Sequence, residues 1–66
     1  MPELNVFALA YTTARTTYVG SGPTRRSAII DAVAKAHAAR EVVAGAFFDG
    51  VDVSAEDVRI VTSSAP

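Results

Sequence analysis

Apolar side chains run without a break through Val6-Phe7-Ala8-Leu9-Ala10-Tyr11, behind Leu4 and Asn5 and ahead of the polar pair Thr12-Thr13. The run is too short for a typical independent helix and reads as a strand over residues 4–11, apolar on both faces. Side chains alternate across a strand, so Phe7, Leu9 and Tyr11 share one face while Val6, Ala8 and Ala10 share the other. A turn at residues 13–15 leads to Thr16-Thr17-Tyr18-Val19, a β-branched and aromatic stretch suited to the second arm of a hairpin. Gly20-Ser21-Gly22-Pro23 ends that arm.

Thr24 is placed to cap a helix, since its hydroxyl can accept from an amide near Ser27 that has no partner of its own. No proline or glycine interrupts the chain from there to Gly45. Ile29, Val33, Ala36 and Val43 follow helical spacing, with Ile30, Ala34 and His37 on the flank, so one stripe of this helix is expected to face a sheet. Ala28, Ala32, Ala34, Ala36, Ala38 and Ala39 raise helicity and let the helix approach closely. Gly45 stands where a left-handed helix end belongs, Phe48 or Phe47 supplies an apolar plug for the open end of the core, and Asp49-Gly50 supplies a turn. Ser54-Ala55-Glu56-Asp57 has a hydroxyl three places before a carboxylate, the pattern of a capping box and a single helical turn. Residues 58–62, Val-Arg-Ile-Val-Thr, read as a third strand, and residues 63–66 as a frayed tail.

The expected fold is therefore one α+β domain over residues 1–66, in the order β-β-α-β. It has a three-stranded antiparallel sheet of strand order 2-1-3 packed on one helix. The helical crossover sets the third strand parallel to the second, so it adds antiparallel to the first. The first strand becomes central, with Phe7, Leu9 and Tyr11 expected under the helix.

Composition narrows the possibilities. A chain of 66 residues that is 50% hydrophobic is folded rather than disordered, yet short enough that its core is marginal and reinforcement is needed. Cysteine is absent and His37 is the only histidine, which leaves no disulfide, thiolate site or histidine cluster to staple the fold. Self-association is the remaining common device. No apolar run reaches membrane-spanning length and the Met-Pro-Glu-Leu-Asn start lacks a basic leader segment, so the expectation is a cytoplasmic protein without membrane contact. The net charge of -1 gives no general attraction to nucleic acid. The first forty residues are nevertheless basic and the remainder acidic, which favours attraction between the two halves of one fold.

Candidate chemistry is sparse. There is no nucleophile elbow, and His37 lies near Lys35 and Arg40 in a helix flank, so no catalytic residue, metal or cofactor is assigned. Asp49, Asp52, Glu56 and Asp57 lack the ordered spacing of a calcium loop. The segment Gly20 to Arg26 is more suggestive: a glycine-containing loop enters a helix start bearing Arg25 and Arg26, cations that oppose the helix dipole and so point to an anion or an acidic partner. Arg15 and Tyr18 of the hairpin, with Ser21, Thr24, Arg25 and Arg26, form the candidate partner or anion-binding set. The mixture of Tyr11, Arg15, Thr16 and Tyr18 also suits single-stranded nucleic acid, which makes a nucleic-acid or phosphate-ligand binder the alternative reading.

Val6, Ala8 and Ala10, joined by Val61 or Ile60, would form an apolar strip on the sheet face away from the helix, and this strip is the expected homodimer interface. A hairpin followed by a Thr-initiated, Ala-rich helix resembles the partial-RNase-H layout of HicB-type antitoxins over roughly residues 4–36. Arg25 and Arg26 stand where that family has acids after the capping threonine, so the resemblance implies a layout and no function. The abundance of Ala, Val, Arg, Thr and Asp fits a GC-rich bacterial or phage genome. The functional expectation is a small non-enzymatic protein-binding module, a homodimeric accessory or regulatory protein that also binds another protein.

Overall fold

A computed structural model describes residues 5–63. The hairpin forms as its pattern requires: β1 (Val6–Thr12) pairs antiparallel with β2 (Thr17–Gly22), Leu9 opposite Val19 and Tyr11 opposite Thr17. The Arg15 amide donates to the Thr12 carbonyl and Arg15 takes a left-handed φ of 66°, a tight turn followed by the bulge residue that glycine usually supplies. Thr12 is buried, and its hydroxyl accepts the Thr16 amide across the turn.

The helix α1 (Arg25–Ala38) starts as expected, with the Thr24 hydroxyl accepting the Ser27 amide and the Ser27 hydroxyl accepting the Thr24 amide. Its end differs from the expectation at Gly45. Arg40 adopts a left-handed φ of 60°, its amide donates to His37, and the Glu41 amide reaches back to Ala36. This six-to-one and five-to-two pair of bonds is a Schellman ending, made here by an arginine in the glycine position.

The freed segment becomes β3 (Val43–Phe48) and pairs antiparallel with the other side of β1, Leu9 opposite Phe47 and Tyr11 opposite Gly45. Asp49 and Gly50, both at positive φ, make the expected turn into β4 (Val51–Val53). The sheet thus has four strands in the order β2-β1-β3-β4, not three, and β1 is interior. The segment read as a third strand is instead the helix α2 (Ala55–Ser63). Its Ser54 cap accepts the Asp57 amide, Glu56 and Asp57 favour the positive end of the dipole, and buried Val58 anchors it to the core. Leu4 and residues 64–66 of the expected strand and tail lie outside the described residues.

The larger correction concerns which face of β1 is covered. Both helices follow from a core made of small side chains: Ala8, Ala10, Ala28, Ile29, Ala32, Val33, Ala36, Ala46, Val53 and Val58 are buried, and Ile29 is the largest that is wholly so. Ala28, Ala32 and Ala36 recur every fourth residue and bring the α1 backbone onto the sheet at Gly20. A methyl group at Gly20 would lie 2.2 Å from the Ala32 nitrogen and 2.3 Å from the Ala28 oxygen. Only the Ala8 and Ala10 face of β1 tolerates that approach, so the helix covers this face and Phe7, Leu9 and Tyr11 point away from it.

Candidate functional site

Both helices pack on one side of the sheet, so among the described residues the outer sheet face is open. On it stand Phe7 and Leu9 from β1, Val19 from β2 and Phe47 from β3, exposed by 63%, 38%, 50% and 41%. Leu9 lies directly between Val19 and Phe47 in the ladder, so these side chains form one continuous row across three strands. Tyr11 folds over Gly45, where no side chain obstructs it, stacks at a tilt 5.7 Å from the Phe47 ring, and donates to Asp52 at 3.0 Å. That hydrogen bond to a carboxylate raises the tyrosine pKa above its ordinary value. The four strands contain no lysine or arginine and one acid, Asp52.

The two sheet edges differ. Along β2, the Ser21 amide donates to Asp31 at 3.0 Å and the Lys35 ammonium donates to the Val19 carbonyl at 2.8 Å, with Asp31 and Lys35 themselves 3.3 Å apart. This pair from α1 occupies backbone groups that a further strand would need. The Ser21 amide first and Lys35 second hold the Asp31 carboxyl below the usual carboxylate range. The β4 edge is three residues long and carries exposed Val51.

The residues expected to form the homodimer strip lie on the other side of the sheet. Ala8 and Ala10 are core residues, and Val6 and Val61 pack partly buried against the core. The small size of Ala8 and Ala10 is what admits α1.

The expected anion or partner set is divided. Arg15 and Tyr18 lie toward the hairpin turn, whereas Ser21, Thr24, Arg25 and Arg26 lie at the opposite end of β2 and the start of α1. Tyr18 faces the helix side with Ala10 and donates to Glu41 at 2.7 Å, so it shares no face with Tyr11. Tyr18 first, then Thr12 with a second hydrogen bond of 2.7 Å, lower the Glu41 pKa, and the same contact raises that of Tyr18. At the helix start the Thr24 and Ser27 amides are already satisfied by the capping pair, and the Ser21 amide by Asp31. The Arg25 guanidinium lies 5.8 Å over the Phe48 ring.

A groove of about 400 Å³ between α1, α2 and the start of β3 is lined by Val33, His37, Glu41, Val58, Arg59 and Thr62. Both Glu41 oxygens are engaged by Tyr18 and Thr12, and the Thr62 hydroxyl donates into its own helix at Val58. Among the described residues no His, Asp or Glu cluster has the arrangement of a metal site, and no helix is long and apolar enough to cross a membrane.

The row of Phe7, Leu9, Val19 and Phe47 is thus the feature that pattern reading missed. The signal for it was present in the alanine stripe of α1 and in Gly20, which together demand small partners. Comparison with protein-family models, with curated proteins and with solved structures finds no match.

Proposed function

We propose that this chain is a small non-enzymatic protein-interaction module, a cytoplasmic accessory or regulatory protein of bacterial or phage origin, that docks through the open face of its sheet. The observation that carries this reading is the uncharged apolar row of Phe7, Leu9, Val19 and Phe47 on a face that neither helix covers. Contiguous exposed apolar surface at the centre of a rigid sheet is the composition of an interface core, in which aromatic residues are enriched and charges depleted.

The absence of basic residues from the strands argues against nucleic acid on this face, because backbone phosphates contribute most of such affinity and require cations. The Thr24 and Ser27 amides, taken up by the capping pair, leave fewer donors for an anion at the start of α1, which weakens the reading of Arg25 and Arg26 as a phosphate cradle.

The test replaces Phe7 and Phe47 together by Thr, which preserves strand propensity. The wild-type chain is expected to show self-association by light scattering or binding of an apolar-surface dye such as anilinonaphthalene sulfonate, and the double variant to lose whichever is present while keeping its circular dichroism. A wild-type chain showing neither property overturns the reading. A mobility shift of single-stranded oligonucleotide at low salt, abolished by replacing Arg25 and Arg26 with Ala, would favour the nucleic-acid alternative.

A further inference from the structure

Resting on that docking reading, we infer that the occupant of the open face is a second copy of this chain, packed sheet to sheet with Leu9 and Phe47 at the centre of the contact. The area agrees with what a stable pair needs. Phe7 and Phe47 together expose the equivalent of one whole phenylalanine side chain, roughly 200 Å². Leu9 and Val19 raise the apolar area to about 350 Å² for each copy. Two such faces bring about 700 Å² of apolar surface together, and with a polar rim the total reaches about the 1,000 Å² that a specific interface must clear. Thr17, Ser21 and Asp52 stand on the same face around that centre and supply the rim.

Charge makes the face compatible with itself. The one acid in its four strands, Asp52, sits on the β4 side and is hydrogen-bonded to Tyr11. A twofold axis along the strands, between β1 and β3, sets β4 of one copy over β2 of the other, so the two Asp52 carboxylates stay at opposite edges. Gly45 beneath Tyr11 keeps that ring low on the sheet. Aligned sheets pack about 10 Å apart with side chains interdigitating, which phenylalanine and leucine fill.

The edges favour the same arrangement. The Asp31 and Lys35 pair occupies the Val19 carbonyl and the Ser21 amide on β2, and β4 offers only three residues for strand addition. The thin core adds a motive: with Ile29 its largest wholly buried side chain, a second layer supplies buried apolar area that one copy lacks.

The experiment combines light scattering from about 1 μM to about 1 mM with isotope-filtered nuclear Overhauser spectroscopy on an equal mixture of labelled and unlabelled chains. The expected result is a mass of two chains, with cross-peaks from the Leu9 and Val19 methyls of one copy to the Phe7 and Phe47 rings of the other. Replacing Phe7 and Phe47 by Thr is expected to return the mass to one chain. A two-chain mass with intermolecular cross-peaks confined to Val51 and Val53 would overturn face pairing in favour of the β4 edge. A single-chain mass throughout, with apolar dye bound and then lost in the double variant, would overturn the second copy and leave the docking reading standing. A single-chain mass with no dye bound would overturn both.

Discussion

Replacing Gly20 by Ala adds one methyl group at the place where the helix backbone meets the sheet. Its nearest neighbours would be the Ala32 nitrogen at 2.2 Å, the Ala28 oxygen at 2.3 Å and the Ala32 Cα at 2.7 Å. All three are backbone atoms, so no rotamer change relieves the clash. Ordinary contact requires α1 to retreat by about 1 Å, and a gap of that size forfeits a quarter to a half of the dispersion energy in each contact it opens. The retreat loosens Ala28, Ile29, Ala32, Val33 and Ala36 together. Overpacking typically costs 1–3 kcal/mol, and a rigid obstacle puts this substitution at about 3 kcal/mol or above. A single core of this size supplies roughly 3–5 kcal/mol in total, so most of the stability is expected to go. Urea unfolding followed by circular dichroism measures it. Gly50→Ala is the control, since its φ of 76° carries strain but no atom lies within 4 Å of the new methyl, for an expected cost of about 1 kcal/mol. A Gly20→Ala chain as stable as wild type, or no less stable than Gly50→Ala, would refute backbone contact between α1 and β2.

Other substitutions test separate features. Arg40→Gly removes the strain of a left-handed arginine at the end of α1 and is expected to stabilise the fold by about 0.5–1 kcal/mol, read as a higher midpoint in thermal unfolding. Glu41 and Asp31 both have folded pKa values below their ordinary ones, so the unfolded chain binds more protons in acid; the stability they contribute is complete above the unfolded carboxylate range, near pH 4, and falls as pH drops through the folded values. Glu41→Gln is expected to flatten that acid limb in urea midpoints collected against pH, and an unchanged limb would contradict the Tyr18–Glu41–Thr12 contact. Lys35→Met together with Asp31→Leu removes both the donor and the acceptor that cover the β2 edge, and turbidity is expected to rise with concentration relative to wild type; equal solubility would show that the pair does not guard the edge.

Local chemistry made much of the fold legible. The hairpin, the Thr24 cap, the Asp49-Gly50 turn and the Ser54 cap all rest on residues whose side chains or conformational freedom act within a few positions. Two boundaries did not follow from such signals. The end of α1 uses an arginine where glycine is usual, and α2 is a helix although Val58, Ile60, Val61 and Thr62 favour strands, because Val58 gains burial against the core. The exposed face was hidden for a different reason. Alternation identifies two faces of β1 without ranking them, and the usual preference for burying the larger side chains selects Phe7, Leu9 and Tyr11. Here the closeness of α1 reverses that preference, and only the joint pattern of Gly20 with Ala28, Ala32 and Ala36 reveals it. The candidate partner residues were likewise selected by type, but Tyr18 and the capping residues turn out to be engaged within the fold.

The claim that Phe7 and Phe47 belong to a docking face rather than to the core is tested most directly by the urea midpoint of the Phe7→Thr, Phe47→Thr double variant, compared with wild type at high dilution. Exposed side chains add little to the fold of a single chain, and the expected loss is below about 1.5 kcal/mol for the pair. A loss above about 3 kcal/mol, the cost of truncating even one buried phenylalanine, would contradict the account.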